Sequence, residues 1–576
     1  MNGKVALVIR NGVIHDGSGA EPFEADVAVD GGRIVAVGRR LGTRGTQELD
    51  ARDRIVTPGF VDIHTHYDGQ VTWDERLKPS SLHGVTTCVM GNCGVGFAPC
   101  RPEHRDLMVR LMEGVEDIPG AVLQEGVPWA WRSYPEYLEF LDSRRFDIDV
   151  ASFVPHAALR VFVMGERAVN LEAATEEDVD NMAALLREAM SAGALGFGTS
   201  RILVHRSSDG RNIPTLAARE NELVALAAAV AEGQRGVMQY NTDFYEADAV
   251  LAELGRILSA SGCQATLSLN QNHRVPRTWE QVLDWVRDAN DRGMSITAQV
   301  MPRAIGALLS HELTLTPFSE SKTYRALEQL PFADKIRQLR RPEIRARILS
   351  EQPEEDRSKP LAGRARAFDK LYPLSARLDY EPSPQDSVAA RAERAGVAPE
   401  ALAYDLLLEC DGRNMLYQAI ANYADGSLDA CLKMLTHRDS VLGLGDGGAH
   451  MGMICDASYS TFMLTHWARD RTRGGKLPLA RVVRALSLDT ARVVGLNDRG
   501  RIAAGLRADI NVIDFDRLQI EMPEIVRDLP GNGRRLMQRA RGYDATIVSG
   551  VVTYVNGVQT GALPGRLVRG RQRVGV

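Results

Sequence analysis

The chain has 576 residues, of which 44% are hydrophobic and 25% charged, close to the average for globular proteins. Its formal charge of −6 lacks the basic excess of a nucleic-acid-binding surface. Charged residues interrupt every hydrophobic stretch before it is long enough to span a membrane. The composition therefore predicts a protein with no nucleic-acid partner and no membrane contact.

The cysteines and the N-terminal residues indicate the cellular compartment of the protein. Seven cysteines are an odd number, and they contain no CxxC pair, which is typical of a reducing environment. The first ten residues hold too short an apolar block for a signal peptide. We therefore expect a cytoplasmic protein. The number of subunits is left open, with a homo-oligomer as one option.

Both ends of the chain are rich in short β-strand patterns. Near the start, strands are predicted at 5–10, 13–15, 25–29 and 33–37, separated by turns such as Asn11-Gly12. Near the end, strands are predicted at 510–514, 545–548 and 551–555, with Asn556-Gly557 as a hairpin signal. We predict one small β-sandwich domain built from residues 1–56 and 500–576, with two unrelated caps as the alternative.

The middle of the chain, residues 57–499, alternates short apolar runs with amphipathic helices, the βαβ pattern of a parallel sheet. The predicted strands are 55–63, 85–90, 150–154, 195–199, 236–240, 265–269, 295–301 and 440–444. Eight strands at this spacing favour an α/β fold of the (β/α)8 TIM-barrel type over a doubly wound sheet. No GxGxxG motif follows an early strand, which argues against a dinucleotide-binding domain.

The gap before the last predicted strand is too long for one crossover helix. It covers about 302–439 and contains charged and proline-rich stretches together with aromatic residues and leucines. We predict an ordered, lid-like subdomain over the carboxyl face of the barrel, where active sites of this fold lie. A disordered linker is the alternative.

The sharpest chemical signal is the segment TPGFVDIHTH at 57–66. His64 and His66 alternate with other residues at the end of the first barrel strand, so a period of two turns both imidazoles to the same side. Two imidazoles that converge at a barrel mouth form half of a divalent-metal site.

With these motifs in place, nearly the whole chain resembles the amidohydrolase superfamily, and within it the D-aminoacylase (N-acyl-D-amino-acid deacylase) branch. The motifs that carry the resemblance are LVIRNG at 7–12, PGFVDIHTH at 58–66, GVTT at 84–87, GNCG at 91–94, FVPHAALR at 153–160, GALGFGTS at 193–200, GDGG at 445–448, and GRI at 500–502 followed by Gly505 and Ala508-Asp509. The set is specific for the superfamily in this order, and GNCG is specific for the branch.

The resemblance implies roles for individual residues. His64 and His66 match the metal-binding pair, and Cys93 matches the cysteine that replaces the usual bridging carboxylated lysine. Asp446 matches the strand-eight aspartate that ligates or abuts the metal and shuttles protons. The implied metal is Zn²⁺, one per subunit, with another divalent metal as the alternative. From the residues alone, Cys93 could also be a small buried hydrophobe and Asp446 a turn residue.

The chain departs from the branch pattern at strands five and six, where D-aminoacylases supply two further histidines. Asn241 stands at the strand-five position, and His273 lies a few residues beyond strand six. Amide side chains are weak zinc ligands, so this half of the site is weakened. Three outcomes are open: a single metal with His64, His66 and Asp446 and with Cys93 as an optional fourth ligand, recruitment of His273, or no metal.

The residues predicted to contact substrate are Asn241, Arg201, His205, His156 and His273. A guanidinium on the loop after strand four could clamp a carboxylate by a bidentate pair, and a solvated arginine is the alternative.

The resemblance implies a metal-dependent hydrolase that cleaves a C–N amide bond of an N-acyl amino acid or similar small-molecule amide. A metal-activated water would attack the carbonyl, with Asp446 as general base and then general acid. The alternatives are a cyclic-amide hydrolase of the hydantoinase or lactamase type, and a catalytically silent binding protein with the same fold. The sequence gives neither the natural substrate nor a D or L preference.

Overall fold

The computed structural model describes residues 4–232, 236–354, 359, 361–374 and 378–573. The strands are β1 Val5–Ile14, β2 Phe23–Asp30, β3 Arg33–Gly38, β4 Gly45–Asp50, β5 Ile55–Pro58, β6 Phe60–Asp62, β7 Val85–Met90, β8 Asp149–Ser152, β9 Val154–Pro155, β10 Gly196–Arg201, β11 Val237–Thr242, β12 Gln264–Leu269, β13 Ile296–Val300, β14 Ile305–Leu309, β15 Leu371–Pro373, β16 Leu416–Ala421, β17 Ser440–Leu442, β18 Ile510–Ile513, β19 Gln519–Ile520, β20 Glu524–Leu529, β21 Gly533–Met537, β22 Ala540–Arg541, β23 Tyr543–Val548, β24 Val551–Val555 and β25 Val558–Gln559.

The α-helices lie mainly between the strands of the middle region. They are Gln70–Trp73, Arg105–Glu116, Gly120–Gly126, Tyr134–Asp142, His156–Met164, Glu166–Val169, Glu176–Ala192, Glu220–Ala231, Ala247–Ser261, Thr278–Asp291, Lys322–Arg325, Phe332–Leu339, Pro342–Ser350, Val388–Ala395, Pro399–Gly412, Asp429–Thr436, Tyr459–Phe462, Leu479–Arg484 and Thr490–Val493. Within the part of the chain that the structure describes, none of these helices is both long and apolar enough to cross a lipid bilayer.

Strands from both ends of the chain share one nine-stranded sheet. Its order is β25-β24-β23-β18-β5-β1-β2-β3, with β4 beside β1, and β18 pairs with β5 across the two ends. The hairpin predicted at Asn556-Gly557 joins β24 to β25 in antiparallel register. The predicted break at Asn11-Gly12 is wrong, because β1 continues through a bulge there. Asn11 takes a left-handed φ of 61° and donates its N–H to Asp26 Oδ1 at 2.9 Å.

The middle region builds parallel sheets. The order β6-β7-β8 forms one sheet, and β9-β10-β11-β12-β13-β17 forms the other, with parallel pairing throughout. Only Phe153 separates β8 from β9. A parallel bridge between Thr65 and Gly447 connects the chain after β6 to the chain after β17. The carboxyl ends of these strands therefore come together at one edge.

The single strand predicted at 55–63 is in fact two strands in different sheets. Residues Ile55–Pro58 pair with β18 in the sheet of the chain ends, whereas Phe60–Asp62 pair with β7. Gly59 lies at the break, where a Cβ atom would lie 2.2 Å from Thr86 Oγ1. Its N–H donates to the Asp509 carbonyl at 2.8 Å. The chain therefore passes from one sheet to the other at Gly59.

Residues 302–439 contain a small antiparallel sheet in the order β14-β16-β15 and several helices. They have their own hydrophobic cluster, which includes Leu309, Phe318, Leu339, Tyr404 and Leu407. Of the predicted insertion, residues 355–358, 360 and 375–377 lie outside the described residues, as do 1–3 and 574–576 of the predicted terminal domain.

Candidate metal and catalytic centre

The two histidines of the HxH motif lie just beyond the carboxyl end of β6. The Thr65 N–H and hydroxyl between them both donate to the Val89 carbonyl, at 3.0 and 2.9 Å, which keeps the segment extended along β7. The extended backbone turns His64 and His66 to the same side, with ring centroids 5.5 Å apart. Both side chains are buried, so the imidazoles face an enclosed space at the strand ends.

Cys93 is placed by a tight turn after β7. Gly91 has a φ of 81°, and a Cβ atom there would lie 2.1 Å from the Phe153 carbonyl oxygen, so only glycine fits. Cys93 itself has a left-handed φ of 53°. The Asn92 amide donates to the Thr65 carbonyl at 3.2 Å and fixes the turn against the HxH segment. The Cys93 Sγ atom thus lies 3.5 Å from His64 Nε2.

Asp446 approaches from the segment after β17. Its backbone N–H donates to the His64 carbonyl at 3.0 Å, and its φ is 48°. Asp446 Oδ1 lies 3.5 Å from His64 Nε2 and 3.4 Å from His66 Nε2. The structure therefore brings the four predicted metal-site residues together.

His64, His66 and Cys93 form a group of mutually close ligand atoms, and Asp446 lies beside the two histidines at distances that suit a tetrahedral cation. Zinc bonds of about 2.0–2.1 Å to nitrogen and oxygen and about 2.3 Å to sulfur imply donor-to-donor edges of about 3.3–3.6 Å. The three distances that join His64, Cys93, His66 and Asp446 are 3.4 or 3.5 Å. The ligand atoms of His64, His66 and Cys93 all lie within 4.8 Å of one another. The donor set therefore fits a divalent metal such as zinc.

The protonation states of the site follow from burial and from neighbouring charges. Burial lowers the pKa of His64 to about 4. Burial also opposes a charge on His66, but the Glu116 carboxylate, Asp446 and Cys93 outweigh it and raise the His66 pKa well above its ordinary value. Burial raises the pKa of the Cys93 thiol. The carboxylates near His66 thus favour a positive charge at this position.

Asp446 is an ionised carboxylate in this setting. Burial alone would raise its pKa, but the imidazoles of His66, His64 and His450 outweigh burial and hold the pKa of Asp446 well below its ordinary range. The side chain of Asp446 is 18% exposed to solvent, whereas the side chains of His64 and His66 are each 1% exposed. Asp446 is therefore a base that both the candidate metal ligands and an incoming molecule could reach.

Strands β11 and β13 bring neutral amide side chains to the same centre. Asn241 Nδ2 donates to Cys93 Sγ at 3.0 Å, and the Cys93 N–H donates to Gln239 Oε1 at 3.0 Å. Gln299 Oε1 lies 2.7 Å from His64 Nδ1. Asn241, predicted as a substrate contact, thus touches the candidate ligand Cys93. Gln239 and Gln299 were missed because glutamine in a buried strand carries no metal signature.

Of the other predicted substrate residues, His205 lies beside the strand residue Ser200, which pairs in register with Asn241. His205 Nδ1 contacts Ser200 Oγ at 3.0 Å. Burial and the nearby His450, His66 and His64 lower the pKa of His205 to about 3, which is the signature of a neutral imidazole beside the cluster.

The remaining three predicted substrate residues lie elsewhere. Arg201 pairs with Glu253 at 2.8 Å and lines a separate cavity of about 620 Å³. His156 uses both ring nitrogens internally, contacting Thr199 Oγ1 and Glu222 Oε1 at 2.8 Å each. Asn272, which precedes His273, forms an antiparallel bridge with Ala421 of the insertion. Burial and then the positive charges of Lys370 and Arg364 lower the pKa of His273 to about 4. His273 is outside the cluster of candidate ligands.

Sequence reasoning missed two ionisable neighbours, Glu116 and His450. Glu116 Oε1 lies 3.2 Å from His66 Nδ1, and Glu116 Oε2 lies 3.8 Å from His450 Nε2. Burial raises the pKa of Glu116 to about 7. A signal was present in the sequence, because Glu116-Asp117 puts two acids at the C-terminal end of a helix, where the helix dipole disfavours negative charge.

Comparison with known proteins supports these observations. A family model described as "Amidohydrolase family" matches residues 47–554. An uncharacterized protein of Mycobacterium tuberculosis is 27% identical, and the match covers 94% of this chain and 90% of that protein. The N-acyl-D-glutamate deacylase of Alcaligenes xylosoxydans xylosoxydans is 30% identical over 340 residues, which are 58% of this chain and 62% of that protein.

The fold is also found among solved structures. A crystal structure of D-aminoacylase matches with a TM-score of 0.64 and 21% identity, covering 99% of this chain and 100% of that one. The N-acyl-D-glutamate deacylase from Bordetella bronchiseptica, complexed with zinc and a phosphonate inhibitor, matches with a TM-score of 0.64 and 23% identity, covering 98% and 100%. With the family model matching most of its length, the chain belongs to the amidohydrolase family.

Proposed function

We propose that this amidohydrolase hydrolyses the C–N amide bond of an N-acyl amino acid or a similar small amide. The observation that carries the proposal is the convergence of His64, His66, Cys93 and Asp446 at the carboxyl ends of parallel strands, with donor distances of 3.4–3.5 Å. Such a donor set at this edge is the arrangement that metal-assisted hydrolysis needs.

We propose a (β/α)8 barrel for the middle of the chain. Its strands would be β6, β7, β8 with β9, β10, β11, β12, β13 and β17. The parallel pairings and the Thr65–Gly447 bridge support closure of this circuit. The shared sheet of the chain ends supports a composite β-domain near 1–56 and 500–576, and the separate hydrophobic cluster supports an inserted subdomain at about 302–439.

We propose Zn²⁺ as the metal, at one ion per subunit. Two imidazoles, a thiolate and a carboxylate suit zinc. Asn241 stands at the strand-five position where the D-aminoacylase pattern has a histidine, and its amide contacts Cys93; amides bind zinc weakly. His64, His66, Cys93 and Asp446 would hold the ion. When bound, it would supply a water of near-neutral pKa and a Lewis acid for the substrate carbonyl.

The chain's own residues would carry the protons. The ionised Asp446 carboxylate accepts a proton from the attacking water and later delivers it to the nitrogen of the leaving amine. One water is consumed, the C–N bond breaks, and a carboxylic acid and an amine are formed. Our candidates for contacting the substrate are Asn241, which contacts Cys93, and the neutral His205, which contacts Ser200 opposite Asn241.

The names of the similar proteins support the substrate class. Besides the N-acyl-D-glutamate deacylase, segments of the chain are 33% identical over 193 residues to a D-aminoacylase and 34% identical over 199 residues to an N-acyl-D-aspartate deacylase, both from Alcaligenes xylosoxydans xylosoxydans. The three names share an acylated amino acid as the molecule acted on, which is the class we propose here.

The test combines elemental analysis with turnover. Protein purified without added metal is assayed for zinc and for hydrolysis of N-acyl-D-amino acids, N-acyl-L-amino acids and hydantoins, for wild type, Asp446→Asn and Asp516→Asn. Asp516 is an exposed aspartate outside the site and serves as the matched control. We expect about one zinc per chain and release of free amino acid. Assayed with zinc added to saturation, Asp446→Asn should have a kcat lower by about 10²–10⁴-fold, and Asp516→Asn should match wild type.

Two results would contradict the proposal. A zinc content well below one that added zinc does not restore would indicate a binding protein with this fold. Turnover confined to hydantoins would indicate a cyclic-amide hydrolase, because ring substrates need no separate acyl pocket.

A further inference from the structure

The imidazole of His66 lies between two carboxylates. On one edge of the ring, Nε2 is 3.4 Å from Asp446 Oδ1, on the side of the candidate metal ligands. On the other edge, Nδ1 is 3.2 Å from Glu116 Oε1, and both of these side chains are 1% exposed. Glu116 is therefore within contact distance of His66 but on the side away from Asp446.

Within the described part of the chain, Glu116 forms no ion pair with an arginine or a lysine. Among the described residues, its ion-pair contacts are with His66 and, at 3.8 Å, with His450. Neither Glu116 Oε2 nor His66 Nδ1 has a hydrogen-bond partner among the described residues. A buried carboxylate without an arginine, a lysine or full hydrogen bonding is costly. Among the described residues, the His66 imidazole at 3.2 Å is the nearest group that can balance a negative charge on Glu116.

The position of Glu116 is fixed by its backbone. The helix Arg105–Glu116 ends at this residue, and Asp117 follows with a left-handed φ of 50°. The Asp117 carboxylate accepts the Thr314 hydroxyl at 3.0 Å and the Gly452 N–H at 2.9 Å. The His450 N–H donates to the Glu116 carbonyl. The end of the helix is thereby tied to the insertion and to the segment that follows Asp446.

We propose that Glu116 is a positioning residue for His66 in metal binding. Its carboxylate favours the proton on Nδ1, so that Nε2 keeps the lone pair for the cation. A carboxylate behind a ligating histidine also raises the basicity of the ring and fixes its orientation. His64 has a neutral counterpart in Gln299, whose Oε1 is 2.7 Å from Nδ1. The inference rests on the proposed function, since it concerns the metal that the site would hold.

The test compares Glu116→Gln with Glu113→Gln. Both changes remove one carboxylate from the same helix at constant size, and Glu113 accepts the Gly120 N–H at 2.8 Å, away from the candidate ligands. Three quantities are measured for each protein: the zinc dissociation constant by competition with a chromophoric chelator, the visible spectrum of the cobalt-loaded protein, and the Tm of the metal-free protein. The cobalt spectrum reports ligand geometry, which a purely structural role of Glu116 would not alter.

We expect Glu116→Gln to weaken zinc binding by about 10–100-fold and to shift the cobalt spectrum, and Glu113→Gln to stay within twofold of wild type. Zinc binding and a cobalt spectrum unchanged in Glu116→Gln would overturn the inference and leave the proposed function intact. Failure of wild type to bind zinc would overturn both. If Glu116→Gln does not fold, Glu116→Asp replaces it. That variant keeps the charge but withdraws it from His66, and an affinity within twofold of wild type would overturn the inference.

Discussion

The two sides of the candidate site differ in chemistry. The side formed by the segments after β6 and β17 carries the ionisable groups His64, His66 and Asp446. The side formed by β11 and β13 carries neutral amides: Asn241 contacts Cys93, and Gln299 contacts His64. Cys93 lies between the two sides.

This difference assigns different tasks to the two sides. Imidazole, thiolate and carboxylate donors bind zinc strongly, whereas amides are weak ligands. Each amide instead makes a hydrogen bond to a candidate ligand: Asn241 to the Cys93 sulfur, Gln239 to the Cys93 N–H, and Gln299 to His64. We infer that the ionisable side binds the cation and that the amide side orients the groups that bind it.

The largest expected effect is on the ionisable side. His66→Ala removes a candidate ligand, and we expect zinc affinity to fall more than 100-fold, beyond the 10–100-fold typical of residues that only orient a ligand. Chelator competition measures the loss. His437→Ala is the control, because the His437 ring lies outside the cluster and its Nδ1 accepts the Asp439 N–H at 3.2 Å. A His66→Ala protein that binds zinc as wild type does would show that the cation lies elsewhere.

The next prediction tests whether the amide side can be converted into a ligand. Asn241→His replaces the amide that contacts Cys93 Sγ at 3.0 Å with an imidazole. We expect zinc affinity to rise about tenfold or the zinc content to rise from about one toward two per chain, because imidazole and thiolate together bind zinc. Elemental analysis after dialysis measures the content. An unchanged content and affinity would mean that other features of this side exclude metal.

The ionisable side has a local pattern that the sequence displays and the amide side has none, for physical reasons. Successive side chains of an extended strand point to opposite faces, so His64 and His66, two residues apart, point the same way. This is a local property that the sequence displays. The orienting roles of Gln239 and Gln299 depend on contacts with residues 146 and 235 positions away in the chain. Such contacts follow from the order of the strands and leave no local pattern.

The fold shows the same division between local and distant effects. The strand predicted at 85–90 is confirmed as Val85–Met90, since its β-branched run is a local signal. The break at Gly59 was missed, because it depends on the close approach of Thr86. His156 was predicted at the substrate pocket from its place after a strand, but Thr199 and Glu222 occupy both of its nitrogens. Composition and period identify elements, while packing decides which neighbour each polar group meets.

A smaller effect is expected from Gln299→Met. The change keeps the size of the side chain and removes the acceptor that lies 2.7 Å from His64 Nδ1. We expect zinc binding to weaken about tenfold, because His64 loses the partner that fixes its ring. The metal-free protein should also lose about 1–3 kcal/mol of unfolding free energy, since a buried polar atom is left without a partner. Chelator competition and denaturant unfolding measure the two effects, and Gln281→Met, at an exposed helical position, is the control.

The smallest effect is expected from Asn241→Ala. This change removes one N–H donor to the Cys93 sulfur, and a hydrogen bond of this kind contributes about 1 kcal/mol, or about fivefold in affinity. Zinc affinity should therefore fall by no more than about fivefold in Asn241→Ala. At the same position, Asn241→His should raise it. Loss of more than about 30-fold in Asn241→Ala would show that the amide itself ligates the cation. In that case both sides would bind the metal, and the assignment of orientation to the amide side would fail.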